Sequence, residues 1–315
     1  MYFDIICLGE ALIDFSISDN INQYDPNPGG APLNVACTLA KYNCKAAFIG
    51  KIGADKEGEI IKKAIKDFHI NDSNLIIDNE HPTTQAFVSI DANGDRHFSF
   101  NRDNSADIYL RKNEINTEII KKAKIFHFGS LSLVNDSYES ATKYALEIAK
   151  ESGAIITFDP NFRRPLWKNK NQAVKKIIKY LSYVDILKLS LEELELITKE
   201  TNTILGLKKL EKYNIPLILL TDGKNGAMIK SGNIIGNVKT IKLEPIDTTG
   251  AGDIFLGTFL AQIIKKNKPI NDISYADLLS FTRKSCIQAS LSTLTKGGIP
   301  SIYKLEQLEQ SSFSS

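Results

Sequence analysis

From residue 118 onward, short apolar runs alternate with amphipathic segments. That alternation restricts the fold of this 315-residue chain more than any other feature. Runs at 125–128, 155–158, 186–189 and 217–220 read as strands. Segments at 138–150, 172–181, 191–198, 251–265 and 274–292 read as helices. Strands and helices in this order predict an α/β body, a mostly parallel sheet covered on both faces. Upstream, 4–9 and 46–50 read as strands and 34–42 as a helix. Residues 57–68 form a second helix, with Ile60, Ile61, Ala64, Ile65 and Phe68 on one face.

Residues 84–101 break this pattern. Ala86, Val88 and Ile90 alternate with Gln85, Phe87 and Ser89, and Phe98 and Phe100 alternate with His97, Ser99 and Asn101. Asn93-Gly94 lies between the two runs, the strongest short-range hairpin signal. The expected result is a β ribbon, apolar on one face, inserted into the α/β body. There is no internal repeat, and residues 311–315 read as a frayed tail.

Composition narrows the function. The chain is 43% hydrophobic and 24% charged, as expected of a folded globular protein, and carries 39 basic against 37 acidic residues. A net charge of +2, with only 6 Arg among scattered Lys, argues against capture of nucleic acid or a membrane surface. Cys7, Cys37, Cys44 and Cys286 show no CxxC spacing, and the four His no HExxH, so a structural zinc site is not expected. Unpatterned cysteines suit a reducing compartment. No basic leader and no long apolar window is present, so the reading is a cytoplasmic protein.

The segment that carries chemistry is Asp247-Thr248-Thr249-Gly250-Ala251-Gly252-Asp253, a Gly-rich turn feeding an apolar helix. Free amides at such an N-terminus, with the helix dipole, favour an anion. Asp253 would face whatever those amides bind. A carboxylate beside an anion nest makes sense as a base taking a proton from a hydroxyl that attacks a phosphoryl group; the other reading is a first-turn Asp complementing the dipole. GxxxxGK[ST], a complete GxGxxG and the HRD and DFG kinase signatures are absent. Gly29-Gly30 before Asn34 reads either as a turn and cap or as a clamp for a polyhydroxylated ligand. Asp14, in an apolar stretch, is either exposed on a loop or satisfied by sugar hydroxyls.

Gly9-Glu10-Ala11-Leu12-Ile13-Asp14-Phe15, Gly29-Gly30-Ala31-Pro32-Leu33-Asn34, Phe158-Asp159-Pro160-Asn161-Phe162-Arg163 and Asp247 to Asp253 together resemble the ribokinase-like (PfkB-type) carbohydrate kinases, most of all the fructokinase branch. The resemblance runs from about residue 4 to residue 302. It implies one domain over 1–315, a three-layer sandwich with a small β-sheet lid drawn from about 12–32 and 82–110. It implies transfer of phosphate from MgATP to the 6-hydroxyl of fructose. Asp253 matches the catalytic base, and Gly250, Ala251 and Gly252 match the anion hole. Asp14, Gly29, Gly30 and Asn34 match sugar-contacting positions, with Arg102 and Arg163 facing the sugar or the closing phosphate. Lys188, Glu193, Thr221, Gly223 and Gly226 match nucleotide positions, Glu193 ordering Mg²⁺ through water. Ser190 stands where the family's NxxE motif has Asn. Asp247 and Thr249 match a monovalent-cation (K⁺) site.

Two departures bear on the substrate. Ala31 replaces the Lys usual in ribokinases, and Phe100-Asn101-Arg102 lacks the Tyr frequent in fructokinases. Aminoimidazole riboside, a nucleoside or 2-keto-3-deoxygluconate are therefore alternative acceptors. A non-catalytic sugar-binding regulator is a remoter reading, and a homodimer formed through the lid is expected.

Overall fold

The structure, a computed structural model, describes residues 2–17, 24–90 and 96–313. The strands are β1 (Phe3–Leu8), β2 (Leu12–Ile17), β3 (Tyr24–Gly29), β4 (Ala46–Gly53), β5 (Asn71–Asp78), β6 (Thr84–Ile90), β7 (Arg96–Asn101), β8 (Ala123–Gly129), β9 (Ile155–Asp159), β10 (Ile186–Ser190), β11 (Leu217–Thr221), β12 (Ala227–Ser231) and β13 (Ile234–Val238). The α-helices are α1 (Ala31–Lys41), α2 (Lys56–Asp67), α3 (Thr117–Ile120), α4 (Asp136–Glu151), α5 (Lys170–Tyr180), α6 (Leu191–Thr198), α7 (Thr203–Leu210), α8 (Ala251–Lys266), α9 (Tyr275–Ser292) and α10 (Gly298–Phe313).

Nine strands form the main sheet in the order β13-β12-β11-β10-β9-β8-β1-β4-β5. The pairs from β5 to β11 are parallel, and β12 and β13 close one edge antiparallel. Successive residues of a strand face opposite sides. Ile5 and Cys7 therefore enter one core with α1, α2, α8, α9 and α10, while Ile6 and Leu8 enter the other with α4 to α7. Leu217 and Leu219 separate from Ile218 and Leu220 in the same way. This is the expected three-layer α/β sandwich.

The chain runs from β1 to β4 on one side of the sheet and returns to β8 on the other side of β1. Parallel sheets bind ligands where the strand order switches in this way, beyond the carboxyl ends of the strands. The residues after β1, β9, β10 and β11 emerge at that carboxyl end.

A second sheet has the order β3-β2-β6-β7. Its two hairpins, β2–β3 and β6–β7, are joined by parallel pairing of β2 with β6. The hairpin expected over 84–101 is present as β6 and β7, but its Asn93-Gly94 turn lies outside the described residues. So do the side chains of Val88, Ile90 and Phe98. Asp55 fixes the junction between this sheet and the body. It caps α2 by accepting from Gly58 N at 2.8 Å, and it accepts from Thr83 N and Thr83 Oγ1 at 2.7 Å each, just before β6.

Three sequence readings change. Helix α1 begins at Ala31, not 34, because Pro32 in the first turn suits a helix start. Strands β5, β12 and β13 and helices α7 and α10 extend the fold beyond the elements expected. The tail expected to fray at 311–315 continues helix α10 as far as Phe313.

Helices α1 and α8 approach closely because position 257 has no side chain. A Cβ on Gly257 would lie 2.6 Å from Thr38 Cβ. Gly257→Val should overpack this crossing, cost about 1–3 kcal/mol and lower the calorimetric unfolding midpoint by several degrees. An unchanged midpoint would show that the two helices separate freely.

Candidate active site

Asp253 lies in the first turn of α8, which is buried over almost its whole length. Gly250 caps it with φ +76°, a left-handed conformation that suits glycine. The turn before it is clasped by Asp247. Asp247 Oδ1 accepts from Thr249 N at 3.0 Å and Thr249 Oγ1 at 2.8 Å, and Oδ2 accepts from Gly297 N at 2.8 Å. The clasp places Gly250, Ala251 and Gly252 at the helix N-terminus, where the Ala251 amide also donates to Thr248 O at 3.2 Å.

The Asp253 carboxylate is 5% exposed. Asn34 Nδ2, from α1, donates to Oδ2 at 2.8 Å, and Asn161 Nδ2 donates to Oδ1 at 3.4 Å. Burial, followed by the nearby Asp159 carboxylate, pushes its pKa up to about 6 against the pull of Asn34, Lys188 and Arg163.

Asp14 is on β2, not on a loop. Part of its side chain reaches solvent, yet the carboxyl is closely walled and burial raises it to about 7. Arg163 opposes that rise, and Asp247 and Asp253 add to it. A side chain at Gly29 would collide with Asp14 Oδ2, so that glycine makes room for the carboxylate. Gly30, at φ +109°, leads into α1 and so to Asn34. Arg163 is exposed on the loop after β9.

Lys188 on β10 forms a buried ion pair with Asp159 at the end of β9, Nζ to Oδ2 at 2.6 Å. Burial would lower its pKa, but Asp159 and then Glu193 outweigh that and hold it above its usual value. A Cβ on Gly252 would stand 3.0 Å from Lys188 Nζ, so the ammonium lies against the amide nest. Ser190 caps α6, its Oγ accepting from Glu193 N at 3.2 Å, while Glu193 Oε2 accepts from Ser190 N at 2.8 Å. Glu193 Oε1 also accepts from Phe162 N at 2.7 Å. Burial first, then Asp159, raises the Glu193 pKa, with Lys188 opposing. Thr221 ends β11 in register with Ser190. Gly223 and Gly226, both at positive φ, turn the chain beyond it.

Arg102 is buried and committed to protein partners. Its Nε and Nη2 donate to Asp107 Oδ2 at 2.9 and 2.6 Å, and Nη2 also donates to Leu131 O at 3.1 Å. The expectation that it faces the sugar did not foresee this commitment. Nor did sequence reasoning assign Asp159, Asn161 or Glu10. All three lie inside motifs already noted, but their partners are set by strand register and by turns. Glu10, after β1, accepts from Ala31 N at 3.1 Å and is raised by burial to about 7.

Among the described residues, no three His, Cys, Asp or Glu side chains cluster closely enough to hold a metal ion by themselves, and no helix is long and apolar enough to cross a membrane.

Residues 3–296 match the pfkB family carbohydrate kinases. The chain is 36% identical to a probable fructokinase-2 of Arabidopsis thaliana over 95% of its length and 92% of that protein. Fructokinase from Xylella fastidiosa with bound ATP superposes with a TM-score of 0.87 at 27% identity, covering 98% of each chain. Fructokinase from Vibrio cholerae with fructose, ADP and calcium bound superposes with a TM-score of 0.86 at 28% identity, over 96% of this chain and 98% of that one.

The Asp253 pKa in the folded protein exceeds its unfolded value of about 4. The native state therefore loses stability as pH rises from about 4 through about 6. Asp253→Asn removes that loss. It should be more stable than the parent at pH 8 by about 1–3 kcal/mol and match it near pH 4. Equal midpoints at both pH values in thermal unfolding would show that the carboxylate is not strained.

Proposed function

We propose that this chain, which belongs to the pfkB family of carbohydrate kinases, transfers the γ-phosphoryl group of ATP to the 6-hydroxyl of fructose. The observation that carries the reading is the meeting of three groups at one buried carboxylate. The amide nest begins α8, Asn34 reaches Asp253 from the Gly29-Gly30 segment, and Lys188 lies against Gly252. The fructokinase relatives favour fructose over aminoimidazole riboside, nucleosides or 2-keto-3-deoxygluconate. A retained base and nest speak against a non-catalytic regulator.

Asp14, Gly29, Gly30 and Asn34 hold the sugar, and Arg163 closes over it from the loop after β9. Arg102, paired with Asp107, steadies the base of the lid. Asp253 accepts the proton of the attacking hydroxyl. A bond forms between that oxygen and the γ-phosphorus as the bond to the β–γ bridging oxygen breaks, leaving ADP and fructose 6-phosphate. The amides of Gly250, Ala251 and Gly252 and the Lys188 ammonium take up charge on the transferring group. Thr221, Gly223 and Gly226 border the nucleotide.

The donor set near Glu193 fits Mg²⁺ that is held mainly by ATP phosphates and water. Such an ion would neutralise phosphate charge, and Glu193 would orient its water. K⁺ at Asp247 and Thr249 would meet a carboxylate already accepting three protein hydrogen bonds, an adjunct to a formed clasp. Four unpaired cysteines support a cytoplasmic setting. The small sheet acts as the lid and as the contact between two copies in a homodimer.

The test is ADP release with MgATP over fructose, ribose, glucose, mannose, tagatose, 2-keto-3-deoxygluconate, adenosine and aminoimidazole riboside. Fructose should be preferred, and strong preference for another acceptor would overturn the assignment. Asp253→Asn should lower kcat by about 10²–10⁴ with nucleotide still bound. Asp253 must be ionised to accept the proton, and its pKa is about 6. The acid limb of kcat/KM should therefore lie near 6; a limb near 4 would remove that role. Light scattering should give about twice the monomer mass of 35.0 kDa.

A further inference from the structure

Asp159 has a job in neither half of the site as described so far, yet it touches both. It is 2% exposed at the carboxyl end of β9. Its Oδ2 holds Lys188 Nζ at 2.6 Å, and its Oδ1 accepts from Asn161 N at 3.1 Å. That second bond closes a short turn in which Asn161 takes φ +42°, and the turn carries the Asn161 carboxamide to Asp253. Lys188 in turn stands against Gly252 in the nest. An ion pair serving stability alone would need only Lys188; the second oxygen would have no reason to set the loop that reaches the base.

We infer that Asp159 is a positioning residue for phosphoryl transfer, one oxygen fixing the Lys188 ammonium at the nest and the other fixing the Asn161 loop against Asp253. The inference rests on the kinase reading above. A lysine on a flexible stem could adopt many positions; the buried carboxylate confines it to the place where the transferring group gains charge.

The charged neighbours set the sign of the test. Asp253 is faced by Asp14 from β2, Asp159 from β9, Lys188 from β10 and Arg163 from the loop after β9. Glu193 of α6 and His127 of β8 face Asp159 or Lys188, and burial keeps His127 neutral. Asp159→Asn removes one negative charge beside the base and leaves Lys188 free to face it. Both changes favour ionised Asp253, so the acid limb moves to lower pH.

The experiment compares the full chain, Asp159→Asn, Asp159→Glu, Lys188→Met and the Asp159→Asn/Lys188→Met double variant, with fructose and MgATP. Asp159→Asn should lower kcat by about 10²–10³, change the fructose KM less than about threefold, and shift the acid limb down by about one pH unit. The double variant should lose no more than Lys188→Met alone, since one residue acts through the other. Asp159→Glu keeps the charge if the Asn variant does not fold. It should lower kcat through the displaced ammonium and leave the acid limb in place. A kcat within threefold of the parent in either variant, an unmoved limb in Asp159→Asn, or multiplying losses in the double variant would overturn the inference. A parent chain silent on every acceptor of the panel would overturn the kinase reading and this inference with it.

Discussion

A carboxylate has to stay charged in a place from which water has been largely removed. Everything around Asp253 answers to that constraint. The helix dipole of α8 favours a negative end group, Asn34 and Asn161 donate to its two oxygens, and Lys188 and Arg163 supply positive charge nearby. Asp159 and Asp14 act against it. The balance leaves a carboxylate with a pKa of about 6, which in the proposed reaction would be ionised at neutral pH and would take the proton of the attacking hydroxyl.

The fold supplies these groups from separate segments with little freedom in any of them. Asn34 comes from α1, whose contact with α8 is set by Gly257 against Thr38. Lys188 and Asp159 come from adjacent parallel strands, where register decides which side chains meet. Asp14 comes from the second sheet, and Gly29 leaves room for it. Glu193 binds the amide of Phe162 and thereby ties the α6 turn to the loop carrying Asn161 and Arg163. The segments that follow β9 and β10 are thus connected through a main-chain hydrogen bond as well as through charge.

The central strands and the long helices were legible in the sequence because each carries its own periodic apolar pattern. The elements that escaped are mostly edges. β3 contains Pro26 and Pro28, which a central strand would not tolerate but an edge strand does. β5 and β13 are the two outer strands of the main sheet and carry more polar residues than its middle. The site divides in a similar way. The nest and Asp253 are contiguous in sequence and could be read from local chemistry. The pairs Lys188–Asp159 and Arg102–Asp107 depend on register and on a turn, so the residue types alone could not reveal them. Ser190, which departs from the family pattern, makes an ordinary helix cap, and the acidic residue it pairs with keeps its place.

The small sheet has a further consequence for how the chain acquires its structure. Its two hairpins are held together by β2 alongside β6, and α1, β4, α2 and β5 all lie between them in the chain. Each hairpin can form locally, but their pairing requires the intervening βαβ unit to be in place, with the Asp55 cap already holding Thr83. The loop-closure entropy of that pairing is offset only by folding of the segment it spans. The two hairpins and the βαβ unit between them end at Asn101, so the small sheet can be complete in a nascent chain before the segment that carries Asp253 has emerged.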